Sequence, residues 1–254
     1  MTSHHSNKSE SLLSGSTLIV PLVSIGNIPQ LCVDLLIHSL KLENVETLDD
    51  LYLHPFASPV DCASQLEQPK GISTALEVYH SNKLQLCVIQ QRSPVIPGFD
   101  KKFASDVILP FIRKHNFKKI VILDSNDAGM KEAVTGTIDV LSIDELLNRS
   151  FNTLKLSESK EPMNDAYQTP VLIDEITNLI KSQTSSTSSM APEVVSLVSY
   201  VYEGDNTYDA ENLARRTCEY LHTTCPEKLT MPLSWTGVYG DRPVPISMEE
   251  GIYG

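Results

Sequence analysis

The sequence predicts an α/β fold of three layers, with helices on both faces of a mixed β-sheet. Thr17–Val23 is a short apolar run rich in β-branched residues, as in a buried strand, and a turn and a helical pattern follow it. Residues 75–79 and 84–89 flank a short polar turn, which indicates an antiparallel hairpin and makes the predicted sheet mixed. Lys119–Leu123 is an almost continuous apolar strand, typical of strands covered by helices on both faces.

The turn after the first strand has the residues that a strand-to-helix connection needs. Gly26 is expected to take a positive φ, which costs glycine little. Asn27 is a good N-cap, and Pro29 falls in the first helical turn, where its missing N–H is not needed. A helix is therefore predicted from Ile28 to Lys41, with one apolar face made of Leu31, Leu35, Leu36 and Leu40.

Apolar spacing of three and four residues predicts further helices along the chain. The first spans Phe99–His115, where Pro110 is expected to bend or shorten it. Others are predicted at residues 143–147, 171–180, 193–202 and 206–221. The helix at 193–202 rests on four apolar residues whose spacing fits the helical period better than strand alternation: Val194, Leu197, Val198 and Val201.

The four residues before the last helix admit two interpretations. In the first, Gly204 supplies a turn and Asp205 or Asn206 caps the helix, with Asp209 in the place of a capping-box acid. In the second, Glu203 or Asp205 is a catalytic acid or base. The first accounts for all four residues and is preferred. The predicted turn and cap residues are Gly26, Asn27, Gly204, Asp205 and Asn206.

A single α/β domain is predicted over residues 17–240. Residues 1–16 are polar and predict a disordered N-terminal tail. Residues 182–190 are rich in Ser and Thr, which predicts a mobile insert within the domain. Residues 241–254 contain Pro243 and Pro245 and predict an extended C-terminal tail.

Composition narrows the classes of protein that the chain can represent. The formal net charge of −12 disfavours binding to nucleic acid or to an anionic membrane, because both repel negative charge. Five cysteines, an odd number without a dense framework, predict free thiols in a reducing compartment. No apolar run is long enough to span a bilayer. A cytoplasmic location is therefore expected, with the nucleus as an additional one.

The sequence contains none of the strong catalytic or nucleotide-binding motifs. It has no Walker-type loop, no G-x-G-x-x-G, no H-E-x-x-H and no G-x-S-x-G. Cys218, His222 and Cys225 have the spacing of metal ligands around a helix end, but a fourth ligand is not near in sequence. A buried thiol and a surface histidine are the preferred interpretation, so no catalytic residue, metal or cofactor is predicted.

Five sequence blocks carry a family resemblance. They are Val23–Leu31, Ala75–Tyr79, Ile89–Pro94, Glu203–Asn206 followed by Asp209 and Ala210, and Pro232–Gly237. In this order they are similar to the proteasome assembly chaperone 2 family, and most similar to its fungal members. The resemblance runs from about Thr17 to the C-terminus, and several blocks in one order are more specific than any one alone. The Ser-rich insert and the N-terminal extension depart from the family.

The resemblance implies a protein that is not an enzyme. Members of the family pair with proteasome assembly chaperone 1 as a heterodimer, and the pair binds the outer face of the proteasome alpha ring while the core particle assembles. Their domain resembles the nucleoside phosphorylase fold without that enzyme's site. The expected partners are proteasome assembly chaperone 1 and alpha-type proteasome subunits, with no cofactor, nucleic acid or membrane.

Ile252, Tyr253 and Gly254 end the chain with a hydrophobic residue, a tyrosine and a residue of any type. This resembles the tail motif that proteasome activators and assembly chaperones insert between alpha subunits. Tyrosine offers a rigid ring with a polar end, and a terminal carboxylate can pair with a lysine in a shielded pocket. The resemblance therefore identifies these three residues as partner-binding residues.

Two other functions stay open at this point. The first is an enzyme of the nucleoside phosphorylase or hydrolase type, since fold does not imply function. It would need a phosphate-binding set of Arg and Ser residues and a purine-contacting acid, which the sequence does not assemble. The second is a general adaptor with no role at the proteasome.

Overall fold

A seven-stranded mixed sheet forms the centre of the molecule. The computed structural model describes residues 12–64, 70–130, 137–146, 148, 170–184 and 191–235. The strands of the sheet are β1 (Thr17–Pro21), β2 (Glu43–Thr47), β5 (Leu76–Ser81), β6 (Leu86–Gln91), β7 (Lys119–Asp127), β8 (Ile138–Ser142) and β9 (Glu193–Val201). Their order across the sheet is β2-β5-β6-β1-β7-β9-β8. Two short strands, β3 (Ala57–Pro59) and β4 (Ile72–Thr74), pair separately.

The four central strands are parallel, and the flanking strands are antiparallel. Ile19 of β1 lies opposite Val88 of β6 and Val121 of β7, and β7 pairs in parallel with β9 along all nine residues. The β5–β6 hairpin, β2 and β8 run antiparallel to their neighbours. The predicted mixed sheet and its hairpin are confirmed. The carboxyl ends of the four parallel strands meet along one side of the sheet, called here the carboxyl edge.

Helices cover both faces of the sheet. One face carries α1 (Ile28–Leu40) and α5 (Thr207–Tyr220), and the other carries α2 (Asp100–Phe103), α3 (Leu109–His115) and α4 (Val171–Thr184). Successive residues of the central strands alternate between the two apolar cores: Val121 packs with α1 and α5, and Ile122 packs on the opposite side. The predicted three layers and the predicted helices at these positions are confirmed, and residues 143–146 are also helical.

The prediction of a helix at residues 193–202 is wrong, because this segment is strand β9. It lies between β7 and β8, and both of its faces are buried, so its exposed and buried residues do not alternate. Its internal polar residues, Ser196 and Ser199, are buried and lie three residues apart. That spacing leaves an apolar pattern that resembles a helix face.

Pro110 shapes the helical segment between Asp100 and His115. A π-turn at Ala104–Ile108 joins α2 to α3 immediately before this proline. Proline has no N–H to donate, and its ring crowds the carbonyl four residues earlier, which in a regular helix is that of Asp106. The wider turn relieves this crowding. The helical segment continues past Pro110 to His115, so the proline does not shorten it, and the departure from regular α-helix is the π-turn.

Several boundaries differ from the prediction. The described chain begins at residue 12, and Leu13 is fully buried, so the predicted disordered tail at 1–16 is too long. Residues 1–11 lie outside the described residues. The helix α4 continues to Thr184, and residues 185–190 of the predicted Ser-rich insert also lie outside them. The sequence did not indicate β2, β3, β4 or β8. In the part of the chain that the structure describes, no helix is long and apolar enough to cross a membrane.

Candidate functional site

The predicted partner-binding residues Ile252, Tyr253 and Gly254 lie outside the described residues, which end at Trp235. Residues 226–229, which lie between α5 and the end of the described chain, are attached to the folded domain. The Arg215 guanidinium donates to the carbonyls of Pro226, at 3.2 Å, and Glu227, at 2.7 Å. Leu229 is buried in the core formed by α1 and α5. The chain after α5 is therefore held against the folded domain.

The last described turn is attached to the loop that follows β3. The Thr230 N–H donates to Ser39 Oγ at the end of α1, at 2.8 Å, and the Leu233 N–H donates to the Cys62 carbonyl at 2.9 Å. The Ser234 hydroxyl and its N–H both donate to the Asp61 carboxylate. The last 19 residues of the sequence, 236–254, thus start from a fixed point on the domain surface.

The turn after β1 has the predicted positive φ at Gly26. Gly26 has a φ of 66°, and Asn27, at the N-cap position of α1, also has a positive φ of 51°. The Asn27 side chain makes no capping hydrogen bond, so only its position was predicted correctly. Ser24 and Ser125 bond through their hydroxyls at 2.8 Å, and Ser125 Oγ donates to the Ile25 carbonyl at 2.6 Å. These bonds attach the turn to β7.

Asn206 joins this turn to the loop before α5. Its side chain is 2% exposed. Its Nδ2 donates to the Tyr202 carbonyl at 2.8 Å and to the Asp209 carboxylate at 3.1 Å, and its Oδ1 accepts the Gly204 N–H at 3.1 Å. Asn206 therefore occupies the predicted N-cap position, but its side chain closes the preceding loop and does not cap the helix.

The other two predicted turn residues have smaller roles. The Asp205 carboxylate accepts the Thr207 N–H at 3.1 Å, so it binds one of the free N–H groups of the first turn of α5. Gly204 lies in the turn, as predicted, but a Cβ there would meet nothing within 4 Å and its φ is not positive. Glycine is therefore not sterically required at residue 204.

A cavity of about 240 Å³ opens at the carboxyl edge, where open α/β sheets place their ligands. Its described polar lining includes Ser24, Gln91, Asp100 and Asp124, and no lysine or arginine. Among the residues that the structure describes, the lining of this cavity therefore contains none of the arginine residues that the phosphate site of a nucleoside phosphorylase would need.

A second cavity, of about 760 Å³, lies beside a buried ion pair that connects α1 to the end of β6. Arg92 Nη2 lies 3.1 Å from Asp34 Oδ1, and Gln90 Nε2 donates to the same oxygen at 2.5 Å. Burial by itself would lower the pKa of Arg92, but the adjacent Asp34 carboxylate outweighs it and that pKa is raised. The arrangement keeps the Arg92 guanidinium charged and attaches α1 to the end of the hairpin.

The cysteines near the end of α5 do not have the properties of a metal site. Cys32 and Cys218 are buried in one apolar core, and Cys225 packs against it. Burial raises the pKa of Cys32, and burial together with Cys225 raises the pKa of Cys218 to about 12. Metals bind the thiolate, which these values disfavour. Within the described ranges, no three His, Cys, Asp or Glu residues are grouped so that they could hold a metal ion.

Comparison with known proteins gives a consistent result. The model of the PAC2 family matches residues 18–226. The chain is 30% identical to proteasome assembly chaperone 2 of Saccharomyces cerevisiae, with 89% of this chain and 95% of that protein covered. It is 28% identical to the Xenopus laevis protein of the same name, with 89% of this chain and 92% of that protein covered.

Solved structures extend the similarity to the fold. The crystal structure of Pyrococcus furiosus PbaA, an archaeal homologue of proteasome-assembly chaperone, matches with a TM-score of 0.57 at 12% identity. The match covers 84% of this chain and 80% of that chain. A PAC2 family protein from Streptomyces avermitilis matches with a TM-score of 0.51 at 16% identity, with 83% and 87% of the two chains covered. The likeness to nucleoside phosphorylases stays a prediction.

Proposed function

Because the chain belongs to the PAC2 family, we propose that it is a non-catalytic chaperone for assembly of the proteasome core particle. It acts as a heterodimer with proteasome assembly chaperone 1 on the outer face of the alpha ring, in the cytoplasm and the nucleus. The observation that carries this proposal is the similarity to yeast proteasome assembly chaperone 2 along nearly the whole of both chains.

The C-terminal residues Ile252, Tyr253 and Gly254 bind between alpha subunits in this proposal. The fixed attachment of Leu233 and Ser234 supports it, because a tail that starts from a defined point searches a smaller volume than a free peptide. Nineteen residues span at most roughly 65 Å when extended, which is long enough to reach a neighbouring subunit. The folded surface supplies a second point of attachment.

Native mass spectrometry of purified components tests the proposal. The chain is mixed with proteasome assembly chaperone 1 and then with isolated alpha-ring intermediates of the same organism. A one-to-one pair and a ternary complex are expected. A chain that binds neither component, or that turns over nucleosides by itself, would contradict the proposal. A chain without residues 252–254 serves as the matched control for tail binding.

A further inference from the structure

The exposed apolar side chains of the described residues are not evenly distributed. Eight large ones are exposed, and six of these lie at or beside the carboxyl edge: Val23, Leu51, Phe99, Val171, Tyr202 and Tyr208. Ile72 and Met231 lie elsewhere, on strand β4 and next to the attachment at Thr230. Soluble domains rarely concentrate apolar surface on one side without a partner.

Cavity lining, chain connections and one close contact relate five of these side chains to the carboxyl edge. Val23 and Val171 line the 240 Å³ cavity, and Phe99 precedes Asp100 on its wall. Val23 leads into the turn whose Gly26 lies against Asn206. Asn206 in turn binds the Tyr202 carbonyl, and Tyr208 follows in the first turn of α5. Val23, Phe99, Val171, Tyr202 and Tyr208 are called here the apolar edge.

The two tyrosines are the most suitable anchors on the apolar edge. Tyr202 is 57% exposed and Tyr208 is 72% exposed, so their rings are available to a second molecule. The backbone that carries them is rigid, because Asn206 and Asp205 close the loop with side-chain hydrogen bonds. A tyrosine on a rigid backbone loses little conformational entropy when it is buried, which favours binding through this loop.

Among the described residues, the charged side chains of the two loops next to these tyrosines are acidic. Asp127, Glu203, Asp205 and Asp209 are exposed or half-buried, and residues 200–212 and 124–130 contain no lysine or arginine. A partner surface with arginine and lysine would satisfy these carboxylates, and an arginine could also stack on a tyrosine ring. A strongly acidic partner would be repelled.

We infer that the apolar edge is the docking surface for a folded partner subunit that presents apolar side chains surrounded by arginine and lysine. The inference rests on the proposed function, in which that subunit is the sister chaperone. The alpha ring is then bound by the tail, which starts beside Asp61 on the loop after β3. The two partners occupy different parts of the molecule and can bind together.

Affinity for purified proteasome assembly chaperone 1, measured by calorimetry, tests the inference. The double variant Tyr202→Ala/Tyr208→Ala is expected to bind at least about tenfold more weakly, as loss of interface anchors does. The Glu203→Lys variant changes an exposed side chain and is expected to bind more weakly and with less dependence on salt. The matched controls Ile72→Ala and Met231→Ala are expected to bind as the wild type does. Melting temperatures verify that all variants are folded.

Each outcome is decisive. If the wild type binds and neither edge variant weakens the complex by more than about twofold, the apolar edge is not the interface, and the proposed function stands. Equal losses in the control variants would also overturn the inference, because the effect would not be local. A wild-type chain that does not bind this partner overturns both. Loss of alpha-ring affinity with unchanged pairing would assign the edge to the ring and contradict the inference.

Discussion

Gly26 and Asn206 lie against each other, although 180 residues separate them in the sequence. A Cβ placed on Gly26 would lie 2.5 Å from Oδ1 of Asn206 and 2.8 Å from its Cγ. No real Cβ approaches these atoms so closely, and Asn206 cannot retreat without breaking its hydrogen bonds to the Tyr202 carbonyl and Asp209. The contact therefore joins the turns that precede α1 and α5.

Gly26→Ala is expected to destabilise the protein by about 2–3 kcal/mol, because it adds a steric clash to a positive φ. The matched control is Gly204→Ala, which should change stability by less than about 1 kcal/mol because nothing lies near its Cβ. Denaturant unfolding measures both. In the double variant Gly26→Ala/Asn206→Ala, the clash is absent, so the two losses should not add. Additive losses would show that the contact is not the cause.

The buried ion pair between Arg92 and Asp34 should be sensitive to loss of one partner. Asp34→Asn leaves the Arg92 charge buried without its counterion and is expected to cost about 3 kcal/mol. Arg216→Ala is the control, because it breaks an exposed pair with Glu219 and should cost less than about 1 kcal/mol. Denaturant unfolding compares them. Equal small losses would mean that solvent already screens the Arg92 pair.

His80 should make stability depend on pH. Its side chain is buried and bonds to Ser16 Oγ at 3.1 Å, and burial lowers its pKa below the ordinary value of about 6.5. Between these two pKa values the unfolded chain binds more protons than the folded chain. Its contribution is therefore complete above about pH 6.5 and is lost as the pH falls towards the lowered value.

The His80→Gln variant should remove this part of the pH dependence. As the pH is lowered from 7.5 to 5, the free energy of unfolding should decrease less steeply for the variant than for the wild type. His54→Gln, which removes an exposed imidazole, is measured beside it as the matched control. Identical slopes for the wild type and His80→Gln would show that His80 does not cause this part of the pH dependence.

The C-terminal tail should contribute through the Tyr253 ring and the terminal carboxylate. Tyr253→Ala is expected to weaken binding to alpha-ring intermediates by about 2–3 kcal/mol through lost apolar burial and a lost hydroxyl partner. One residue added after Gly254 should cost about 1.5–3 kcal/mol, because it removes a charge-assisted bond. Gly254→Ala is the control and should bind normally.

Pairing with proteasome assembly chaperone 1 should survive all three tail changes, since the tail lies beyond Trp235. Binding assays with the sister chaperone and with the alpha ring separate the two effects. Unchanged alpha-ring affinity after deletion of residues 252–254 would leave the tail without a role. Partial loss is expected, because the folded domain contributes the remaining affinity.

Much of the architecture was predictable because its signals are local. A β-branched run, a glycine suited to positive φ and a proline in the first helical turn place β1 and α1. The predictions failed where burial removed the local signal, as in β9, and where pairing with a neighbour defines the strand. The exposed strand β2 and the edge strand β8 are examples of such pairing.

The features of the candidate site also fall into two groups, those that the local sequence sets and those that the tertiary structure sets. The sequence by itself determined the turn residues Gly26 and Asn206, the free thiols and the family resemblance, because each depends on residue type and short spacing. Only the tertiary structure decided that Gly26 touches Asn206 and that Arg92 pairs with Asp34. It alone showed that the side chains of Tyr202 and Val23 are exposed. These relationships join residues far apart in sequence, and the order of strands in the sheet sets them, which no local pattern encodes.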